Sequence, residues 1–166
     1  MGPSNDDVLR QMIAERAMHD SFCRMFRLVD GRDYERVGPE CFVEEALIEY
    51  DLTPDRGPDS VMRFEGRDAL TRYLIEVTQH QMQHHAHVIG QVVYDWNGPR
   101  PILSAHVLAL HWFRAAAEKG AGRPADWIAL GTVTDHFEER DGRWLIARRL
   151  VRPAGGPVVA GSLPGA

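Results

Sequence analysis

Four strand-like segments fill the C-terminal half of the chain, joined by turn-rich or polar connections, and this leaves few folds open. Residues 87–96, 102–114 and 127–139 are strand-like and carry β-branched and aromatic side chains, and RWLIARRLV closes the series. Asn97-Gly98 with two prolines marks the first connection, the polar run AAAEKGAGRPA the second, and Asp141-Gly142 is the signal of a tight hairpin. Strands joined this way pair antiparallel. The N-terminal half reads differently. Over residues 6–29, Val8, Met12, Ile13, Ala17, Phe22, Met25, Phe26 and Val29 recur at helical spacing, with Ser4, Asn5 or Asp6 as N-cap and Gly31 as stop.

A short second helix, DYERVGPECF, begins near Asp33 and is weakened by Gly38 and Pro39, and ALIEYDL alternates well enough for a strand. TPDRGPDS is a loop, and RDALTRYLIEVTQHQMQ is a third amphipathic helix with Leu70, Tyr73, Leu74 and Val77 on one face. Helices gathered on one side of a curled antiparallel sheet make an α+β fold, with a pocket expected at the open end. At 166 residues one domain is expected, over residues 1–152, followed by a Gly/Pro-rich tail, 153–166, that is either mobile or laid across a neighbouring subunit.

The function classes narrow further on charge. A net charge of −5 supplies no basic field for nucleic acid or for an anionic membrane surface. No apolar run approaches the roughly 20 residues of a membrane span, and MGPSNDDVLRQ lacks the apolar core of a signal peptide. Cys23 and Cys41 cannot build a disulfide framework or a zinc site alone and read as small buried hydrophobes. A cytosolic protein is expected.

The residues that suggest chemistry are a histidine entering a strand, His87, and an acid ending the first helix, Asp30. A carboxylate bonded to one imidazole nitrogen fixes the tautomer and raises the basicity of the other, which makes a general base. The plainer alternative for Asp30 is a cap on the short second helix. His80, His84, His85 and His87 include an i,i+4 pair but no matched third ligand, so a helix C-terminus favouring cations explains the cluster and no metal is expected. His106 and His111 face opposite sides of their strand. The face His106, Leu108, Leu110, Trp112 is expected to look into the pocket, making His106 and Trp112 substrate contacts, while Val107, Ala109 and Phe113 would serve a subunit interface. Arg149 could pair with Glu138 or Glu139 across the last hairpin.

Three stretches carry a family resemblance. MHDSFCRMFRLVDGRDYERVGPECFVEEALIEYD resembles the opening of SnoaL-like proteins, scytalone dehydratase and hexachlorocyclohexane dehydrochlorinase, with Asp20, Asp30, Asp33 and ALIEY in the patterned places. HVIGQVVYDWNG is similar to the family's His-x-x-x-Asn strand with Gln91 in the Asn place, and HFEERDGRWLIARRLV to its closing hairpin. The resemblance implies the nuclear transport factor 2 fold: a cone-shaped barrel whose curved antiparallel sheet wraps a long N-terminal helix, with two further helices. It implies Asp30 and His87 as the dyad of the lyase members, Tyr50 as the strand tyrosine that helps hold a water on the substrate carbonyl, and Arg149 as a pocket arginine. Val29, Met25 and Val133 stand where relatives carry a second tyrosine, a lysine and a tyrosine, so the generic dyad transfers and neither specific activity does. The expectation is a cofactor-independent dehydratase, dehydrohalogenase or isomerase on a small hydrophobic oxygenated molecule, assembled as a homodimer or homotrimer. The alternative is a non-catalytic binding or assembly module on the same fold.

Overall fold

The computed structural model describes residues 4–52 and 57–154. Helix α1, Asn5–Asp30, starts on a capping box in which the Ser4 and Asp7 side chains each accept from the other's backbone N–H, and its first turn carries Asp6 and Asp7 against the helix dipole. Met18, Phe22, Met25, Phe26 and Val29 are buried along one stripe against the sheet. Val8, Leu9, Met12 and Ile13, apolar in the same periodic pattern, stay 44–62% exposed because the N-terminal turns outrun the sheet.

The end of α1 differs from the expected glycine stop. Gly31 keeps an ordinary right-handed backbone, and Arg32 takes the left-handed conformation at φ 61°. The Asp33 N–H bonds Leu28 O and the Arg32 N–H bonds Val29 O, the paired pattern that closes a helix C-terminus. Three carbonyls hold the Arg32 guanidinium, those of Gln79, Met82 and Gln83, and offset the strain of its backbone.

Helix α2, Tyr34–Cys41, leads directly into β1, Phe42–Tyr50, and after the loop comes a short strand β2, Met62–Glu65, that the sequence pattern did not show. Helix α3, Arg67–Tyr73, runs on through a π-helical turn, Leu74–Thr78, into the single turn α4, Gln79–Gln81. Strands β3, Met82–Asp95, β4, Ile102–Phe113, β5, Trp127–Arg140, and β6, Arg143–Pro153, complete one curved, unclosed sheet of order β2-β1-β6-β5-β4-β3. The sheet is mixed rather than wholly antiparallel: β1 lies parallel to β6, and the crossover that parallel neighbours require is the whole of the intervening fold.

Two boundaries bear on the site. β3 begins at Met82, five residues before the expected entry at His87, so His84 and His85 belong to the strand and not to a helix terminus. Gln91, with φ 52°, forms a bulge in β3 between Gly90 and Val93. Cys41 is buried and Cys23 half-buried, both as free thiols. Residues 155–166, which hold nearly all of the expected tail, lie outside the described residues.

Candidate active site

A cavity of about 220 Å³ opens between α1, α3 and the concave face of the sheet. Its walls are mostly aliphatic and aromatic, including Phe26, Val29, Phe64, Leu70 and Val133. Polar groups converge on it from two places, the joined starts of α2 and β3, and the floor where β1 meets β6.

At the first, His87 faces in from β3. Its Nδ1–H donates to Asp30 Oδ1 at 2.6 Å, and its own backbone N–H donates to Asp30 Oδ2 at 3.2 Å. Asp30 reaches this position because α1 ends there, and Arg32 ties the same corner to the start of β3. Asp30 therefore does not cap α2; Asp33 occupies the N-cap place, makes no side-chain capping bond, and pairs with Arg36. The His87 side chain is 10% exposed and its ring lies 4.8 Å from that of Phe26. With Nδ1 committed, Nε2 is the nitrogen left for chemistry.

Two more imidazoles stand beside it. His85, two residues earlier on the same face of β3, lies 6.3 Å from His87 between ring centroids and nearly parallel to it, and its Nε2 is 3.0 Å from Tyr34 Oη. His111 on β4 is the cross-strand partner of His85, with centroids 5.4 Å from His85 and 5.9 Å from His87, and packs on Trp127 at 4.7 Å. Burial pushes both His85 and His111 down to about 4, so both are neutral at physiological pH. Among the described residues the buried side-chain atoms without a partner are Ser21 Oγ and the two ring nitrogens of His111. A buried pair of unpaired nitrogens beside a cavity is expensive unless a guest or water satisfies it. Among the described residues no group of three metal-ligating side chains is arranged to hold an ion.

At the second place Tyr50 and Arg149 line the cavity floor. Burial pushes the Tyr50 phenol up, the Arg149 charge working against it, so Tyr50 stands as a neutral donor. Arg149 does not pair with Glu138 or Glu139. It grips Asp135, its direct partner across β5–β6, through Nε at 2.8 Å and Nη2 at 2.6 Å, and lies over the rings of Phe22, Phe26 and Phe42 at 5.2–5.5 Å. Glu138 is taken instead by Arg100 and Arg140.

His106 and Trp112 are not at the cavity. β4 turns Val107, Ala109 and His111 inward, so His106, Leu108, Leu110 and Trp112 occupy the outer face, where the Trp112 indole N–H donates to Arg123 O. The interface expected at Val107 and Ala109 fails for the same reason. The register carries the parity: cross-strand partners share a face, and His87 opposite Ala109 fixes the odd-numbered residues as inward. His85, which the spacing assigns to a helix terminus, and His111, which it sets aside for His106, both line the cavity, and Tyr34, which no sequence pattern singles out, holds His85.

Among curated protein sequences none matches significantly. Solved structures of similar fold are numerous. A protein from Novosphingobium aromaticivorans DSM 12444, provisionally named a scytalone dehydratase, shares 22% identity and a TM-score of 0.68 over 94% of this chain and 96% of its own. The hexachlorocyclohexane dehydrochlorinase LinA-type3 from Novosphingobium barchaimii LL02 shares 16% identity and a TM-score of 0.70 over 92% and 94%. Rv3472 from Mycobacterium tuberculosis, of unknown function, shares 22% identity and a TM-score of 0.68 over 99% and 83%. Such likenesses carry the fold, which is the one the sequence motifs implied. A family model describing a SnoaL-like domain matches residues 10–150, and the chain belongs to that SnoaL-like family.

Proposed function

We propose that the chain is a cofactor-independent lyase or isomerase, performing a dehydratase- or dehydrohalogenase-type elimination or a proton shift on a small hydrophobic oxygenated molecule. The observation that carries this reading is the 2.6 Å contact between Asp30 and His87 at the wall of an apolar cavity. The carboxylate holds the proton on Nδ1 and stabilises the imidazolium formed when Nε2 takes a proton from substrate carbon or hydroxyl. In an elimination the C–H electron pair becomes the new double bond, and hydroxide or halide leaves with its own bonding pair. A departing hydroxide recovers the proton from His87; in an isomerisation the proton returns to a different carbon. Tyr50 supplies an O–H to the oxygen on which negative charge develops.

Charge at the cavity supports a neutral substrate. Both arginines that line it are already matched by carboxylates, Arg149 by Asp135 and Arg152 by Asp51 at 3.1 Å. Asp30→Asn and His87→Ala would each lower kcat by about 10²–10⁴-fold on a substrate found by screening hydroxylated and halogenated cyclic compounds. Full turnover by either variant would sink the dyad.

An assembly role is carried by a separate observation and can coexist with chemistry. On the outer face of the sheet Val88, Leu108 and Leu130 lie in register across β3, β4 and β5, with Val88 59% and Leu130 45% exposed. An apolar stripe of this kind is what a homodimer or homotrimer buries.

A further inference from the structure

His85 and Tyr34 repeat, one step along the strand, the architecture of His87 and Asp30. In each pair a residue from the α1–α2 corner anchors one ring nitrogen, Asp30 on His87 Nδ1 and Tyr34 on His85 Nε2. The two rings are held side by side at 14° and both line the cavity. The other nitrogen of each ring, His87 Nε2 and His85 Nδ1, has no protein partner among the described residues and is not among the buried unpaired atoms, so both are accessible. The difference lies in the anchors. A carboxylate accepts from His87 and tolerates a positive ring, which suits a base. Tyr34 is buried, and burial keeps its phenol protonated. Among the described residues His85 Nε2 is the one partner of the buried Tyr34 hydroxyl, so the O–H is assigned as the donor; the ring proton then sits on Nδ1 and leaves a neutral N–H donor beside the base.

We propose that His85 is a substrate-contacting specificity residue, held by Tyr34 as its positioning residue, and that it selects molecules carrying a second oxygen function one imidazole spacing from the group presented to His87. The inference rests on the reading of the cavity as a substrate site. A site built around a buried hydrogen-bonding group rejects an analogue that lacks the partner far more strongly than an apolar wall rejects an added group.

The test needs binding and no turnover. Dissociation constants for 4-propylresorcinol and 4-propylphenol, which differ by one hydroxyl, are measured on the whole chain by calorimetry. The wild-type chain should prefer the resorcinol by about tenfold, the size of one well-formed buried hydrogen bond. His85→Phe should bring that ratio to near unity while leaving the phenol's constant within about twofold. Tyr34→Phe, which keeps His85 but frees its ring, should leave a ratio of about threefold, a partial loss that general destabilisation would not single out. His85→Leu replaces the phenylalanine variant if the latter does not fold. A wild-type ratio near unity, or a preference that survives at His85 variants, overturns the proposal, and so does failure of both probes to bind. Turnover surviving in His87→Ala would sink the lyase reading and leave this ratio untouched.

Discussion

The buried pair on the cavity floor offers the most quantitative prediction. Arg149 and Asp135 have side chains 1% and 0% exposed, and the guanidinium meets the carboxylate through two hydrogen bonds. Asp135→Asn keeps shape and volume but leaves a cation in a desolvated pocket. Breaking one side of such a pair costs about 3–5 kcal/mol, because the remaining charge keeps its desolvation penalty and loses its compensation. The three aromatic faces around Arg149 retain part of the stabilisation, so the lower end, about 3 kcal/mol, is expected. For a chain of this length that is a fall of about 6–12 °C in Tm. Removing both charges is different. Arg149→Met with Asp135→Leu deletes cation and carboxylate together, and the double variant should lie within about 1 kcal/mol of wild type. Urea unfolding followed by tryptophan fluorescence, run on wild type, Asp135→Asn, Arg149→Met, Asp135→Leu and the double, gives the cost of the unpaired cation and, from the last three with wild type, the coupling energy. An Asp135→Asn protein within 1 kcal/mol of wild type would refute the reasoning, since it would mean that Arg149 is solvated or that Asp135 does not hold it.

Other outcomes follow from the same geometry. Because His85 and His111 sit near 4 in the fold and near 6.5 when unfolded, the unfolded chain binds more protons between those values. Stability should therefore fall as pH drops from about 6.5 to 4, by at most about 1.4 kcal/mol per pH unit for each ring and by less for His85, which solvent screens; a urea midpoint that is flat across this window in wild type contradicts it. His106→Ala should leave kcat/KM within about twofold of wild type, since that side chain is on the outer face, and a larger loss in steady-state kinetics would put it back in the site. Val88→Glu with Leu108→Glu should shift any oligomer to monomer in size-exclusion chromatography with light scattering, and an unchanged assembly would remove this face as the interface. Arg32→Ala, which loses three charge-assisted bonds to carbonyls, should cost about 1.5–3 kcal/mol in urea unfolding, and a loss below 0.5 kcal/mol would show that the corner holds without it.

Much of the fold was legible because each element announced itself in its own period. The helical stripe from Phe22 to Val29, the Asp141-Gly142 hairpin and the long strands around it all appear as read, while one turn earlier Met18 is buried where the spacing names Ala17. What stayed hidden was parity. A strand with one polar face declares which side is buried, but β4 carries Leu108 and Leu110 outside and Val107 and Ala109 inside, so alternation alone could not choose. On that ambiguity the sequence favours His106 over His111. The short strand β2 was hidden for a related reason, since four residues between a loop and a glycine hold too few alternations to register.

Register would have resolved more than propensity did. Counting back from Asp141-Gly142 sets Glu138 opposite Leu145 and Glu139 opposite Trp144, too near the turn to meet Arg149. The irregularity between His136 and Phe137 then moves Arg149 to face Asp135, a shift no local pattern reveals. The same counting across β3 and β4 joins His85 to His111 and His87 to Ala109, and so gathers three imidazoles on one wall from a cluster whose spacing suggested a helix end. Asp30 is legible as a candidate because one acid closes one helix, although its contact with His87 is not local. The rest of the site is built by pairing between strands, and its residues become visible together only once the registers are known.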